Sequence, residues 1–167
     1  MSALASVLGV GASTPFGLDA RQTAMFVRAA KLVPRRDPLL ERPGVEAGTA
    51  RALRLGDEKL AADRMLAFAE DAASAALAQA EVPLDAKLVV LIALPEPTRA
   101  YEDEQASKLR SASFLDELER RLGRPIDRAR SEALRLGHAG FAALLERALA
   151  HLGQGPVLVG GCDSYHD

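Results

Sequence analysis

The run Lys87–Leu94, KLVVLIAL, constrains the fold more than any other part of the sequence. It is continuously apolar from Leu88 onwards, rich in β-branched residues and bounded by Pro83 and Pro95, which is typical of a strand buried on both faces. Such strands belong to parallel sheets, whose strands are joined by crossovers that usually contain a helix. The run is also far shorter than the roughly 18 apolar residues of a membrane-spanning helix. It therefore predicts an α/β protein with this strand near the centre of the sheet.

The rest of the chain alternates between helix-like and strand-like segments. Helices are predicted at Ala20–Lys31 behind an Asp19 cap, Arg64–Glu81 behind an Asp63 cap, the segment from a Ser113 cap to Leu122, and Phe141–Leu152. Strands are predicted at Leu4–Val10, Arg51–Leu55 and Pro156–Val159, whereas Asp127–Leu136 fits either period. Residues 33–49 are expected to be irregular surface chain, and residues 96–111 a long loop with some helix. This alternation predicts one domain, residues 1–167, with a mostly parallel five-stranded sheet covered by helices.

Two of the predicted helices carry apolar faces that should point at the sheet. In the second helix the face consists of Met65, Ala69, Ala72, Ala73, Ala76, Leu77 and Ala80. In the last helix it consists of Leu144, Leu145, Ala148 and Leu149. Because residues three and four apart lie on the same side of a helix, both sets are expected to be buried.

Composition and charge exclude several classes of function. The 167 residues carry 21 Lys and Arg and 23 Asp and Glu, a net charge of −2, so the chain lacks the basic surplus that nucleic acid attracts. The single cysteine, Cys162, excludes an internal disulfide and a multi-cysteine metal site. The first ten residues place no charged side chain ahead of their apolar run, which does not fit a secretory signal. We expect a cytoplasmic protein with neither nucleic acid nor membrane as partner.

Gly9-Val10-Gly11 follows a predicted strand and suggests a dinucleotide-binding loop. The third glycine of that fingerprint is replaced by Thr14, and Pro15 follows at once, so a helix cannot start where the pyrophosphate would need it. We interpret the segment as a tight exit from a strand and predict no cofactor.

The candidate nucleophiles are Cys162 and His138. Cys162 follows Gly160-Gly161 at the end of a strand, with His166 four residues further on, but neither residue opens a helix that would lower the pKa of the thiol. A small, partly buried thiol is the simpler interpretation. His138 and His151 fall on different helix faces, so they make poor joint metal ligands, and no metal site is predicted.

Four segments resemble, in order, the N-terminal half of a β-ketoacyl synthase (3-oxoacyl-ACP synthase), a condensing enzyme of the thiolase fold. They are the opening strand and loop VLGVGASTPFGL with Gly9, Gly11, Pro15 and Gly17, the alanine-rich helix from Arg64 to Val82, the KLVVLIAL strand, and the helix, turn and strand of Gly140–Asp163 with Gly160 and Gly161. The resemblance covers nearly the whole chain. It implies a single thiolase-like half unit of the fatty acid or polyketide synthase type, with the glycines as structural motif residues.

The sequence departs from this family at the nucleophile. The family's acylated cysteine would fall near Leu136-Gly137-His138, where no cysteine or serine stands, and its further catalytic residues belong to a second half that would follow Asp167. The chain stops just after a predicted strand, which favours truncation. We therefore expect a condensation-inactive protein that binds an acyl group or acyl carrier protein, or that forms a dimer with itself or a ketosynthase-like chain, because a half unit exposes an apolar face. The alternatives are an active acyltransferase whose other half lies elsewhere, with His138 as acyl carrier, and an unrelated small α/β ligand-binding module.

Overall fold

The computed structural model of the chain describes residues 5–30, 35–38, 46–49, 61–96, 104–137 and 140–163. These residues form, in chain order, α1 Ala20–Arg28, β1 Arg35–Pro38, β2 Glu46–Thr49, α2 Ala61–Gln79, β3 Val89–Ala93, α3 Glu104–Leu122, β4 Glu132–Leu134, α4 Gly140–His151 and β5 Val157–Gly161. The prediction of an α/β fold is confirmed. Among these helices, none combines the length and the apolar character needed to cross a membrane.

The sheet in the described residues has three strands in the order β4-β3-β5, and both pairings are parallel. Val89–Ala93 pairs with Val157–Gly161 on one side, and Leu91–Ala93 pairs with Glu132–Leu134 on the other. The KLVVLIAL run is therefore the central parallel strand that its composition predicts. The ambiguous segment Asp127–Leu136 contains a turn followed by β4.

The side chains of the central run alternate between two sides of the sheet. Leu88, Val90, Ile92 and Leu94 pack with residues of α2 and α3, such as Leu77 and Leu118, on what we term the closed side. Val89, Leu91 and Ala93 pack with Leu144 and Ala148 of α4 on what we term the open side. Two helices thus cover one side of the sheet, and one helix covers the other.

The helix boundaries show what capping residues can and cannot specify. Asp19 caps α1 as predicted, since its carboxylate accepts the Gln22 N–H at 2.7 Å. Asp63 and Ser113, by contrast, lie inside α2 and α3, so both predicted caps are wrong. Helix α3 begins at Glu104, and six of the seven residues from 104 to 110 are good helix formers: Glu, Gln, Ala, Lys, Leu and Arg.

The opening segment departs furthest from prediction. Residues 5–10 of the predicted strand Leu4–Val10 form no strand. We term residues 5–13 the strap. From Gly9 to Ser13 the strap runs along α2: the Val10 N–H donates to Oε1 of Gln79 at 2.8 Å, and the Ser13 hydroxyl donates to Oδ2 of Asp71 at 3.2 Å. The run is apolar and β-branched as a strand should be, but α2 rather than a neighbouring strand is its partner.

Residues 33–49 were expected to be irregular, but part of this segment forms strands. Arg35–Pro38 and Glu46–Thr49 form a two-stranded antiparallel sheet, with Arg35 opposite Thr49 and Pro38 opposite Glu46. A two-stranded ribbon consists of two edge strands, so a proline without an N–H can occupy one of them. The predicted strand Arg51–Leu55 lies outside the described residues.

Candidate functional site

Cys162 lies directly after β5 and faces the closed side. Its N–H donates to the carbonyl of Ala93 at 3.0 Å, and its side chain packs against the cluster formed by α2, α3 and the sheet. Burial of the sulfur, with a smaller contribution from the charge of Asp163, raises the pKa of the thiol to about 12. The thiol is therefore protonated at neutral pH, which fits a small, partly buried thiol and disfavours Cys162 as a nucleophile.

The segment that should carry a nucleophile lies at the start of α4. Leu136 is exposed, and Gly137 adopts a φ of 55° while its N–H donates to the carbonyl of Leu94 at 3.1 Å. Neither side chain can be acylated. His138, the remaining candidate, lies outside the described residues.

Gly140 starts α4 at a point where helix and sheet nearly touch. It is buried, and a Cβ atom placed on it would lie 2.9 Å from the Cβ of Ala93. Gly161, in the neighbouring strand, meets the same Ala93 methyl, at 3.5 Å from an added Cβ. The close approach of α4 to the sheet therefore depends on Gly140 and Ala93, whereas Gly161 has room for a methyl group in ordinary contact and Gly160 has open space around it.

The glycines of the opening motif bring the strap against α2. A Cβ atom on Gly9 would overlap the carbonyl oxygen of Ala76, and one on Gly11 would overlap that of Ala72. These glycines permit close approach to a helix. Dinucleotide binding, already disfavoured by the sequence, has no support in this geometry.

Gly17 and Pro15 belong to the turn that precedes α1. The hydroxyl of Thr14 accepts the N–H groups of Phe16 and Gly17 at 3.2 and 3.1 Å, and a Cβ atom on the buried Gly17 would lie 2.5 Å from the backbone nitrogen of Thr23. Pro15 is exposed at the tip of the turn. This loop therefore fixes the entry of the chain into α1.

Helix α4 and the residue that follows it carry a row of large apolar side chains that the described residues leave exposed. Phe141, Leu145, Leu149 and Leu152 are 45%, 47%, 59% and 37% exposed, and we term this row the α4 stripe. The prediction that Leu145 and Leu149 face the core is wrong, whereas Leu144 and Ala148 are buried as predicted. The stripe borders the buried face of the same helix, so core and exposed apolar surface are continuous.

The sequence did not indicate a cavity of about 450 Å³ on the closed side of the sheet. It lies where Leu94 and Pro95 leave β3, between the first turns of α2 and the middle of α3, and Arg135 reaches it from the end of β4. Clefts at the carboxyl ends of parallel strands are the usual place for ligands in α/β proteins. Its walls come from four separate parts of the chain, which no local pattern connects.

In the described part of the chain, no group of three or more His, Cys, Asp or Glu side chains is arranged to hold a metal ion. The comparisons with known proteins found no matching family model, no matching curated protein and no matching solved structure. The roles proposed below therefore rest on the motifs of the sequence and on the position, burial and charge of its residues.

Proposed function

We propose that the chain is a β-ketoacyl-synthase-like half unit that does not catalyse condensation and acts by associating with a second polypeptide. The partner is a second copy of the chain or a ketosynthase-like chain. The α4 stripe carries this proposal, because four large apolar side chains in a row are a surface that a partner can bury. The motifs with Gly9, Gly11, Gly160 and Gly161 support the family, and acyl carrier protein is its further candidate partner.

The α4 stripe differs from isolated exposed residues in the amount of apolar surface that a single partner can bury. Complete burial of one Leu or Phe side chain is worth about 1.5–3 kcal/mol. Leu145 and Leu149 lie one helical turn apart, flanked by Phe141 and Leu152, so a single helix or strand of a partner can cover all four. Single exposed apolar residues are common on protein surfaces, whereas a continuous row adjoining the core is typical of an interface.

The proposal that the chain does not catalyse condensation is supported by the surroundings and chemistry of the candidate nucleophile positions. The protonated thiol of Cys162 is partly buried against the core, and Leu136 and Gly137 cannot accept an acyl group. A five-stranded thiolase-like sheet is also part of the proposal. It requires the strap to leave α2 and join an edge of the sheet when the partner binds, with residues 51–55 as the fifth strand.

The unrelated α/β ligand-binding module remains the second candidate function. The strand order favours it, since β3 and β5 pair directly and the strap lies outside the sheet. Amide hydrogen exchange of Val7–Val10 in the associated protein separates the two. Strong protection of these amides supports the half unit, and rapid exchange in a stable complex supports the module.

Sedimentation equilibrium tests the interface with two adjacent substitutions. Leu149→Lys places a charge in the α4 stripe, and Ala150→Lys places the same charge on the exposed position beside it. We expect Leu149→Lys to weaken association about tenfold or more, while Ala150→Lys leaves it unchanged. A well-folded native chain that is monomeric at every concentration and binds no ketosynthase-like chain would contradict the proposal.

Intact mass after incubation with an acyl carrier thioester tests the missing chemistry. We expect no added acyl mass, because no described side chain at the start of α4 can form the ester or thioester. An acyl group mapped to His138 or Cys162 would instead establish an active acyltransferase. This outcome is independent of association, so catalysis and interface are judged separately.

A further inference from the structure

The cavity on the closed side lies on the opposite side of the sheet from α4, where neither the resemblance nor the α4 stripe assigns a role. Its volume of about 450 Å³ falls within the range of about 300–1,000 Å³ that is common for small-molecule sites. An apolar protein cavity of about 150 Å³ already accepts benzene, so this cavity has room for two fused rings. It is separate from the proposed interface and can be tested on its own.

The floor of the cavity is apolar. Met65 and Leu66 reach it from α2, Leu94 from the end of β3, and Phe114 from α3, and all four are buried. Transfer of apolar ligand surface from water to such a floor is favourable, and predominantly apolar walls are typical of small-molecule sites. The floor therefore favours a ligand whose body is made of carbon and hydrogen.

The acidic side chains at the rim of the cavity are paired with arginines. Glu117 pairs with Arg120, which also lines the cavity, and with Arg121 at 3.0 Å. Asp116 pairs with Arg128 at 2.7 Å. The negative charges of the rim are therefore compensated within the protein.

Arg135, the second guanidinium of the described rim, is also held by the protein, since its Nε donates to the carbonyl of Pro95 at 3.0 Å. With two carboxylates and two guanidiniums, the described rim has no net charge. A charged ligand would lose hydration here without gaining an excess of opposite charge, whereas an uncharged ligand has no such cost. The rim therefore favours an uncharged molecule.

Met65 and Phe114 favour an aromatic ring over an aliphatic chain. A methionine thioether makes favourable contacts with the edges of aromatic rings, and two aromatic rings attract each other beyond the effect of the area they bury. Because α2 and α3 bring these two side chains to the same floor, a ring in the cavity can contact both.

We propose that this cavity binds a small, uncharged aromatic molecule of up to two fused rings, which packs against Met65, Leu94 and Phe114. The apolar floor supplies the affinity, and the balanced charges of the rim select against ionised compounds of the same shape.

Methionine methyl resonances report on this site directly. Met65 lines the cavity, whereas Met25 is exposed on α1 and serves as an internal control. Titration of the whole chain, labelled at its methionine methyl groups, with indole is expected to shift the Met65 signal saturably through the ring current and to leave Met25 unchanged. Indole-3-acetate and tryptamine carry the same rings with a negative and a positive charge. Both are expected to bind roughly tenfold more weakly or worse.

One substitution in the floor and one distant control test the aromatic contact. Phe114→Leu keeps the floor apolar but removes its ring, and is expected to weaken indole binding roughly two- to tenfold. Phe141→Leu makes the same change at an exposed position of α4, across the sheet, and is expected to have no effect. Backbone amide spectra establish that each variant is folded.

The comparison of the three ligands uses the native chain, so it stands even where Phe114→Leu fails to fold. The absence of a saturable Met65 shift with indole would overturn the proposal. Equal or tighter binding of either charged compound would overturn the selection against charge, and an unchanged affinity in folded Phe114→Leu would overturn the aromatic contact.

Discussion

The closed and open sides of the sheet differ in how completely they are covered. On the closed side, α2 and α3 bury Leu88, Val90, Ile92 and Leu94, and the cluster extends to Cys162. On the open side, α4 is the one helix among the described residues that packs on Val89, Leu91 and Ala93, and its Phe141, Leu145 and Leu149 side chains are exposed. The alternating side chains of one strand thus face an enclosed core on one side and a less completely covered cluster on the other. Substitutions and chemical probes on the two sides should therefore give different results.

Thiol chemistry should show the largest difference between the two sides. Because the pKa of Cys162 is raised from an ordinary 9.0 to about 12, its thiolate fraction at mildly alkaline pH is lower by about a thousandfold. We expect Cys162 to react with a maleimide at least that much more slowly than a cysteine introduced by Leu149→Cys in a Cys162→Ala background. Comparable rates in the folded proteins would place Cys162 on an accessible surface and remove the distinction.

Truncation of one leucine on each side should show the next largest difference. Leu118 on the closed side is fully buried, and Leu118→Ala is expected to lower the free energy of unfolding by about 2–5 kcal/mol. Leu149→Ala removes the same atoms from the α4 stripe and is expected to change the stability of the unassociated chain by no more than about 0.5 kcal/mol. Urea unfolding at low protein concentration measures both. Equal losses would mean that the chain itself buries the stripe.

The strap provides a third test, at the outer surface of the closed side. Gly11→Ala is expected to cost about 1–3 kcal/mol, because its Cβ atom has no room beside the Ala72 carbonyl and the strap must lift. Gly160→Ala, where an added Cβ atom meets nothing, is the matched control and should be neutral or slightly stabilising. Thermal unfolding compares them, and loss of protection at the Val10 amide would localise the change.

The smallest expected effect is on the pH dependence of the melting temperature. It comes from the ion pairs that Glu117, at the edge of the cavity, forms with Arg120 and Arg121. The pKa of Glu117 is lowered from 4.5 to about 2, so its ion pairs stabilise the fold fully above pH 4.5, and this contribution is lost as the pH falls towards 2. Glu117→Gln should therefore lower the melting temperature slightly at neutral pH and converge with the native chain near pH 2. In an Arg120→Gln, Arg121→Gln background the same substitution should do little. A difference that persists at the lowest pH would assign the effect to packing.

The sequence predicts those elements whose signal is local. The KLVVLIAL run indicates a central strand because it is continuously apolar and β-branched, and the α2 spacing indicates a buried face. Of that face Met65, Ala69, Ala73 and Leu77 are buried, whereas Ala72, Ala76 and Ala80 are only partly buried. The strand and these four buried positions are confirmed because the partners they need lie within the chain. The N-cap Asp19 belongs to the same category, since capping involves only neighbouring residues.

The errors occur where a local signal depends on a distant partner. Residues 5–10 have the composition of a strand, but composition does not reveal that the strap packs on α2. Leu145 and Leu149 have the spacing of core residues, but the apolar arc of α4 is wider than the surface the sheet offers to it. The cavity was missed for the same reason, because Met65, Leu94, Phe114 and Arg135 meet only in three dimensions.

The close contact between Gly140 and Ala93 has a mechanical consequence. Backbone and methyl atoms, rather than long side chains, set the distance between α4 and the sheet there, so no rotamer change can let the start of the helix slide. The α4 stripe is thereby presented on a stiff support. A rigid surface loses little conformational freedom when a partner covers it, so more of the apolar contact energy appears as affinity.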